Sequence, residues 1–520
     1  MHDHKIALID IGSNTIRLVI YGINAYCDMD ELLNLKTPAR LSQYLNQTKS
    51  GEVTLSPQGI KVLVDTLTAF HRTCQAHQVN EEIILATAAI RQSQNQDEIR
   101  QAVKTATGST LRILSEKEEA SYGQYAVNHS LSLEDMVTID IGGGSCELTL
   151  SHNNSLIHYH SFPFGVVTLK ERFFKDLPHN DPQAIENTRK FIKEQFKSLD
   201  WLKKCQVPLV GIGGSARNIA QVYQRLTDYP IAGIHGYHLS HKMLEKTLDL
   251  FQSKPLKELD DLDGLSSDRR DIIIPANLAF LELFALTKAP TFLISKQGLR
   301  EGVIMHYLNQ HYNRPFDPNL VKSRSVSRAC REFKVNTINA STRAKLAMDL
   351  YRQLCELGLF NYQYNQQLEI ELAAYLFQCG QFIDQEADSQ HTFYLLSNMN
   401  LAGFNHKERV RLAILASFRN KSLLKQYIQA FTGWFDDMEL AQLIKLGGLL
   451  KFSQALDDSQ THPIQTLKLT KSKSSYQLSL YCNGPVVAEQ YRAQKHAKHL
   501  KRALDGANLC LDFVPLESLS

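Results

Sequence analysis

Twice in this chain an apolar run ends in Asp-Ile-Gly, crosses a few small polar residues, and resumes as an apolar run. The two stretches are Asp10-Ile11-Gly12-Ser13-Asn14-Thr15 and Asp140-Ile141-Gly142-Gly143-Gly144-Ser145. Glycine inside a strand pattern weakens the strand, so it marks a sharp turn or a close approach by another group. Each stretch therefore reads as strand, glycine turn, strand. Self-similarity at a spacing of roughly 130 residues predicts two related lobes.

A turn of bare backbone can converge its N–H groups on an anion, and a phosphate can approach where no side chain intervenes. A carboxylate beside that turn suits a hard cation such as Mg²⁺. The pattern is not the dinucleotide fingerprint, because "GGGSCELTL" leads into a strand and not a helix. It is not a P-loop, since no Gly-Lys-Ser/Thr follows. A third glycine turn, "PLVGIGGSARNIAQVY" (208–223), opens a segment with helical spacing and adds Gly213, Gly214 and Ser215 as phosphate-facing candidates.

At 520 residues the chain has room for several domains, and 43% hydrophobic content supplies their cores. A net charge of only +3 excludes a globally basic nucleic-acid binder, so no nucleic-acid partner is expected. Nine dispersed cysteines without a CxxC pair fit a reducing compartment better than a disulfide framework. The first strand begins near Lys5, no apolar run reaches the ~20 residues of a membrane span, and a soluble cytoplasmic protein is expected.

Between the repeats, "EEIILATAAIR" (81–91) reads as a buried strand leaving into a loop, and "SEKEEASYGQYAV" (115–127) as a helix. "NQHYNRPFDPN" (309–319) reads as a linker. The expected organisation is an N-terminal lobe at 1–130, a second lobe at 131–308, a helical domain at 320–455 and a small α+β domain at 461–520.

"DIGSNTIRLVI", "DIGGGSCEL", "GIGGSARNIA" and "GLREGV" together resemble the exopolyphosphatase/guanosine-pentaphosphate phosphohydrolase (Ppx/GppA) family in its long four-domain form. The resemblance covers about residues 5–305 with its motifs in order. It implies an α/β fold of two ribonuclease-H-like lobes, of the actin, sugar-kinase and Hsp70 superfamily, with the active site in the cleft between them. The implied activity is Mg²⁺-dependent hydrolysis of the terminal phosphoanhydride of inorganic polyphosphate, with Mn²⁺ as the alternative metal. Guanosine pentaphosphate is the alternative substrate. A non-catalytic sensor of phosphate polymers or alarmone, and an ATP-driven kinase or actin-like filament protein, are the competing classes. The second is disfavoured by Glu119 and "GLREG".

Hydrolysis needs a base near an in-line water. Ser115 and Glu118 have capping-box spacing at a helix start, which gives Glu118 a structural task. Glu119 points about 100° further around the helix and is free for chemistry. The resemblance likewise assigns catalysis to Glu119. It places Glu147 near metal and water, Asp10 and Asp140 on the metal, and Arg91 on the phosphates, together with Arg269 or its neighbour Arg270. With them go the turn residues Gly12, Ser13, Asn14, Thr15, Gly142, Gly143, Gly144 and Ser145, and Gly165 in a turn at the second lobe's edge. Departures from the family pattern are Cys146, Asn277, Lys296 and Gln297.

The helical region resembles an HD-type bundle whose metal-binding pair is replaced by Phe377-Gln378. Phe418 stands where a histidine is common and His391 is retained, so a scaffold or homodimer surface is expected there. The tail nets roughly +4 over 461–520. Its helix carries Arg492, Lys495, Lys498, Lys501 and Arg502 with few aromatics interleaved, which suits a polyanion without bases.

Overall fold

The computed structural model describes residues 3–47, 52–312, 316–473 and 475–519. These fall into two compact units, Met1–Tyr229 with Ile234–Asn319, and Pro230–Gly233 with Leu320–Ser520.

In the first unit, β1 (His4–Ile11), β2 (Ile16–Ile23) and β3 (Met29–Thr37) form an antiparallel meander. A small hairpin, β4 (Leu45–Gln47) and β5 (Val53–Leu55), leads into α1 (Pro57–Ala76). β6 (Glu81–Ala86) and β7 (Leu111–Ile113) then add in parallel, giving the order β3-β2-β1-β6-β7. α2 (Ala88–Arg91) and α3 (Gln96–Thr107) lie between them in the chain. β1 is apolar almost throughout because both of its faces are buried. Ala7, Ile9 and Ile11 pack on one side, Ile6 and Leu8 on the other.

After α4 (Glu116–Leu131) the same plan recurs. β8 (Met136–Ile141), β9 (Cys146–His152) and β10 (Ser155–Phe162) form a second meander, followed by α5 (Val166–Phe173) and α6 (Pro182–Lys197). β11 (Leu209–Ile212) joins β8 in parallel and runs into α7 (Gly213–Leu226). β12 (His238–Leu239), α8 (His241–Ser253), α9 (Ile273–Thr287) and β13 (Phe292–Ile294) complete the order β10-β9-β8-β11-β13-β12. The repeated hairpins predict two related lobes, and the two sheets share a meander with two parallel strands added to it.

α10 (Leu299–Tyr312) returns to the first lobe, where Val303, Ile304 and Leu308 pack with Ile6 and Leu8. α4 packs Tyr122 into that same cluster and Val127 against Met136, Val210 and Ile212 of the second lobe. The two helices thus cross at the join of the lobes. Gly302 makes the crossing possible, since a Cβ there would overlap the Tyr122 carbonyl oxygen.

The reading of 81–91 needs one correction. The strand ends at Ala86 and the chain makes a helical turn instead of a loop, with the N–H groups of Ile90 and Arg91 donating to the Thr87 carbonyl.

The second unit contains α11 (Val321–Glu332), α12 (Thr337–Glu356), α13 (Tyr364–Tyr375), α14 (Asp388–Asn398), α15 (His406–Ala416), α16 (Lys421–Tyr427) and α17 (Asp437–Ala455). It ends in the three-stranded sheet of β14 (Ile464–Ser472), β15 (Ser475–Cys482) and β16 (Asn508–Pro515), with α18 (Val487–Ala503) crossing between the last two. The crossover lets β16 pair in parallel with β15, a strand the sequence pattern does not announce. Phe377 and Phe418 are core residues, and Gly447 lies hard against the Phe418 ring. Among the described residues, no helix is long and apolar enough to cross a membrane.

The α4–α10 crossing predicts a packing defect. Gly302→Ala forces the helices apart at a site with no side-chain slack, an overpacking cost of about 1–3 kcal/mol. Thermal denaturation should show a lowered Tm; an unchanged Tm would mean that the crossing is not tight.

Candidate active site

The two glycine turns have one geometry. The Gly12 N–H donates to the Thr15 carbonyl at 3.0 Å, and the Gly142 N–H to the Ser145 carbonyl at 2.9 Å. In the first hairpin Asp10 sits opposite Arg17, and in the second Asp140 sits opposite Glu147. The repeat therefore places a carboxylate at the same point of both sheets and gives it cross-strand partners of opposite charge.

The second turn is held from behind. Val166 and Val167 N–H groups donate to the Gly142 and Gly143 carbonyls at 2.9 and 3.0 Å. This contact needs glycine at 165, because a Cβ there would collide with the Gly142–Gly143 backbone. Gly213, at φ +87°, begins α7 directly against Asp140, and a Cβ there would stand 2.6 Å from Asp140 Oδ1. Gly214 makes room for the Arg269 guanidinium, whose Nη1 donates to Ser215 Oγ at 3.1 Å.

These groups surround one cavity of about 280 Å³. The structure brings to its lining Asp10, the 12–15 turn, Glu119, Asp140, the 142–145 turn, Glu147, Gly213, Gly214 and Arg269. Two expected phosphate contacts lie elsewhere. Ser215 is buried behind Arg269 as its hydrogen-bond acceptor. Arg91 lies outside the lining, and its Nη1 donates to Glu119 Oε2 at 2.7 Å and to the Leu114 carbonyl at 3.1 Å. Of the neighbouring arginines, Arg269 faces the cavity while Arg270 pairs with Asp260. Asn277 is not at the site; it is fully buried and donates to the Leu244 carbonyl and Thr247 Oγ1.

Three further arginines line the cavity without having been singled out. Arg17 follows from reading the repeat position by position, since it occupies the place of Glu147. Arg217 lies one helical turn after Gly213, to whose carbonyl its Nε donates at 3.1 Å. Arg300 comes from "GLREG" and reaches Asp10 Oδ2 at 3.2 Å.

Burial pushes the Asp10 carboxyl up, and Arg300 pulls it back. Burial likewise pushes Asp140 up against the opposing pull of Arg217, Arg300 and Arg269. Burial and mutual repulsion hold Arg17 and Arg217 below the usual arginine value. Glu119 and Glu147 are both raised, first by burial; Asp10 and Asp140 then add to Glu119, and Glu119 and Asp140 to Glu147. Glu147 is only 7% exposed, which rules out a solvated strand glutamate, and accepts a hydrogen bond from Ser161 Oγ at 3.1 Å.

Glu118 behaves differently. It accepts from the Ser115 N–H at 2.9 Å, while its own N–H donates to Ser115 Oγ, closing the capping box. The Ser115 N–H and Arg112 push its carboxyl down to about 2.

Among the described residues, no three His, Cys, Asp or Glu side chains gather closely enough to hold a metal ion between them. Asp10, Asp140 and Glu147 offer oxygen donors only. Oxygen donors of this kind fit a hard cation held by only one or two of these carboxylates, with its other ligands from water and phosphate.

Residues 19–311 match the Ppx/GppA phosphatase family, and residues 321–496 match domain III of Ppx/GppA phosphatases. A guanosine-5'-triphosphate,3'-diphosphate pyrophosphatase of Photobacterium profundum is 25% identical over 80% of each chain, and one of Vibrio vulnificus 24% over 93% of this chain and 94% of its own. The crystal structure of an Aquifex aeolicus Ppx/GppA family member superposes with a TM-score of 0.52 at 26% identity, covering 59% of this chain and 99% of that one. An exopolyphosphatase from Cytophaga hutchinsonii shares the fold, with a TM-score of 0.52 at 23% identity over 59% of this chain and 98% of its own. The chain belongs to the Ppx/GppA phosphatase family and is a phosphoanhydride hydrolase.

The division between the neighbouring glutamates predicts a stability effect at Glu118. Glu118→Ala should cost roughly 0.3–1.5 kcal/mol. The carboxyl is depressed, so its contribution is present above the usual value of 4.5 and is lost as pH falls toward 2. Denaturant titrations should therefore separate wild type and variant at neutral pH and converge in acid; a difference that persists near pH 2 would contradict the capping assignment.

Proposed function

We propose that this member of the Ppx/GppA phosphatase family removes the terminal phosphate of inorganic polyphosphate by attack of water, releasing orthophosphate. The observation that carries this reading is the cavity lining. Arg17, Arg217, Arg269 and Arg300 face bare glycine turns there, and no aromatic side chain among the described residues lines it to stack a base. A second reading, removal of the 5′ terminal phosphate of guanosine pentaphosphate, is supported by the names of relatives that match along most of their length.

In the proposed mechanism Glu119 accepts the proton of the attacking water as the water oxygen bonds to the terminal phosphorus. The bond from that phosphorus to the bridging oxygen breaks, and the shortened chain leaves as an anion among the arginines. Arg91 holds one oxygen of Glu119 and so fixes the direction of the other. Asp10, Asp140 and Glu147 would hold Mg²⁺, or Mn²⁺, which supplies charge neutralisation on the transferring phosphate. The turns at 12–15 and 142–145 would donate backbone N–H groups to the chain from opposite lobes.

Phosphate release from long polyphosphate and from pppGpp, measured in parallel, tests the reading. A higher kcat/KM on polyphosphate is expected; the reverse order moves the assignment to the nucleotide, and release from neither overturns both.

Glu119→Gln should lower kcat by about 10²–10⁴ while substrate still binds, the usual worth of general-base assistance. Because Glu119 must be deprotonated to act and its carboxyl is raised, the acid limb of the rate profile should lie well above the ordinary carboxylate range. Arg91 pulls that carboxyl down, so Arg91→Met should move the limb to higher pH. A limb that stays in place would sever Arg91 from Glu119.

Excess EDTA should abolish phosphate release, and added Mg²⁺ or Mn²⁺ should restore it. Full activity in EDTA would exclude the metal from the mechanism.

A further inference from the structure

Two lysines line the cavity, and they differ in what their ammonium groups do. Lys36 is engaged with Asp268 at 2.6 Å. Lys296 is exposed, and its side chain has no hydrogen-bond or ion-pair partner among the described residues.

The backbone beneath Lys296 is fixed with unusual care for an exposed residue. Its N–H donates to Nδ1 of the buried His235 at 3.1 Å, while His235 Nε2 meets the Ser130 carbonyl of α4, also at 3.1 Å. Accepting at Nδ1 places the imidazole proton on Nε2, so one neutral tautomer satisfies both contacts. On either side, the Ser295 N–H donates to the Gly211 carbonyl at 2.9 Å, and the Gln297 N–H to Ser295 Oγ at 3.1 Å. The Gly298 N–H donates to Glu301 Oε2 at 2.8 Å, one residue past Arg300. A rigid turn thus presents one exposed, flexible cation in the lining of a cavity whose other cations are four arginines and the paired Lys36.

A lysine of this kind suits a diffuse anionic group reached at variable distance, because its ammonium is a compact charge with rotatable donors. The arginines inside, with their planar forks, suit a phosphate held in one place. We propose that Lys296 is a specificity-determining residue that grips a phosphate group of the substrate lying beyond the phosphate being removed. This rests on the phosphohydrolase reading above. The shared chemistry is a distal phosphate, whether a later unit of a polyphosphate chain or the 3′-diphosphate of a guanosine nucleotide.

The test compares wild type, Lys296→Met and Lys296→Arg on a series of polyphosphates from three units upward, and on pppGpp beside GTP. If polyphosphate is the source, Lys296→Met should lower kcat/KM by about three- to tenfold on long chains, the range for one partly exposed charge contact. The loss should shrink toward the shortest chain, and Lys296→Arg should recover most of it. Lys296→Met, which removes the charge, should also flatten the salt dependence on long chains, and Lys296→Arg should not. If the 3′-diphosphate is the source, the loss should appear with pppGpp and not with GTP. An equal loss on every substrate, or none on any, overturns the proposal. Binding of the same compounds to the Glu119→Gln protein with and without Lys296→Met gives the comparison without turnover. Absence of hydrolysis by wild type thus defeats the functional reading alone, while a flat binding series defeats the role of Lys296.

Discussion

The first unit depends on keeping two half-buried carboxylates, Asp10 and Asp140, side by side in one cavity at the ends of the central strands of two sheets. Charge removed from water is costly unless paired and hydrogen-bonded. Both groups are accordingly raised by burial, and in both the opposing pull comes from arginine. Neighbouring guanidiniums in turn hold Arg17 and Arg217 down, Arg300 foremost after burial, while Arg300 itself is held up by Asp10 and Glu301. The lining is thus a balance of like charges on both sides. An added anion together with a cation would relieve both repulsions at once, the balance that the proposed phosphohydrolase reading asks of this cavity.

The repeat supplies the frame of this balance, and the one cross-strand position where its copies differ sets the charges. The hairpins keep the same turn hydrogen bond and the same position of the aspartate. At the cross-strand position the first lobe has Arg17 and the second Glu147. One lobe thereby offers a positive group and the other a second acid with a raised carboxyl. Had both lobes kept arginine, the cavity could bind phosphate but would lack an acid beside Asp140. Two glutamates would leave the phosphate chain with fewer cations. The asymmetry gives a nearly symmetric frame a cation on one side of the cavity and an acid on the other.

Much of this was legible in the sequence because glycine and aspartate are read by backbone physics. The hairpins, the helix after "GIGG" and the freedom of Glu119 beside a capped Glu118 follow from turn and cap rules alone. What escaped depends on which way a long side chain points. Arg91 resembles a phosphate ligand in its motif, yet one helical turn at 88–91 directs it to Glu119. Ser215 belongs to the right turn, but the residue beside it opens space for Arg269, so the serine holds the arginine instead. Arg17, Arg217 and Arg300 lie inside the quoted motifs and become visible as a set only when two lobes and two helices converge. The parallel strand β16 was hidden for a related reason: its partner comes earlier in the chain, across a helix.

The glycines divide the same way, and their reasons separate chemistry from architecture. Gly302 and Gly165 are needed because a backbone passes where a Cβ would be: the Tyr122 carbonyl in one case, the second glycine turn in the other. Neither has a positive φ, so the requirement is space. Gly213 combines both demands, with φ +87° and Asp140 Oδ1 at 2.6 Å from an ideal Cβ. It starts α7, so the helix N-terminus lies beside a carboxylate already raised by burial, an arrangement that favours the ionised form. The Gly302 crossing fixes how α4 meets α10, and α4 carries Glu119 at its start while α10 carries Arg300. One close helix contact therefore sets the spacing between the proposed base and the cation that holds Asp10. The placement of Glu119 against Arg300 and Asp10 is in this sense a packing property of two helices, and the glycine turns supply the facing wall of the cavity.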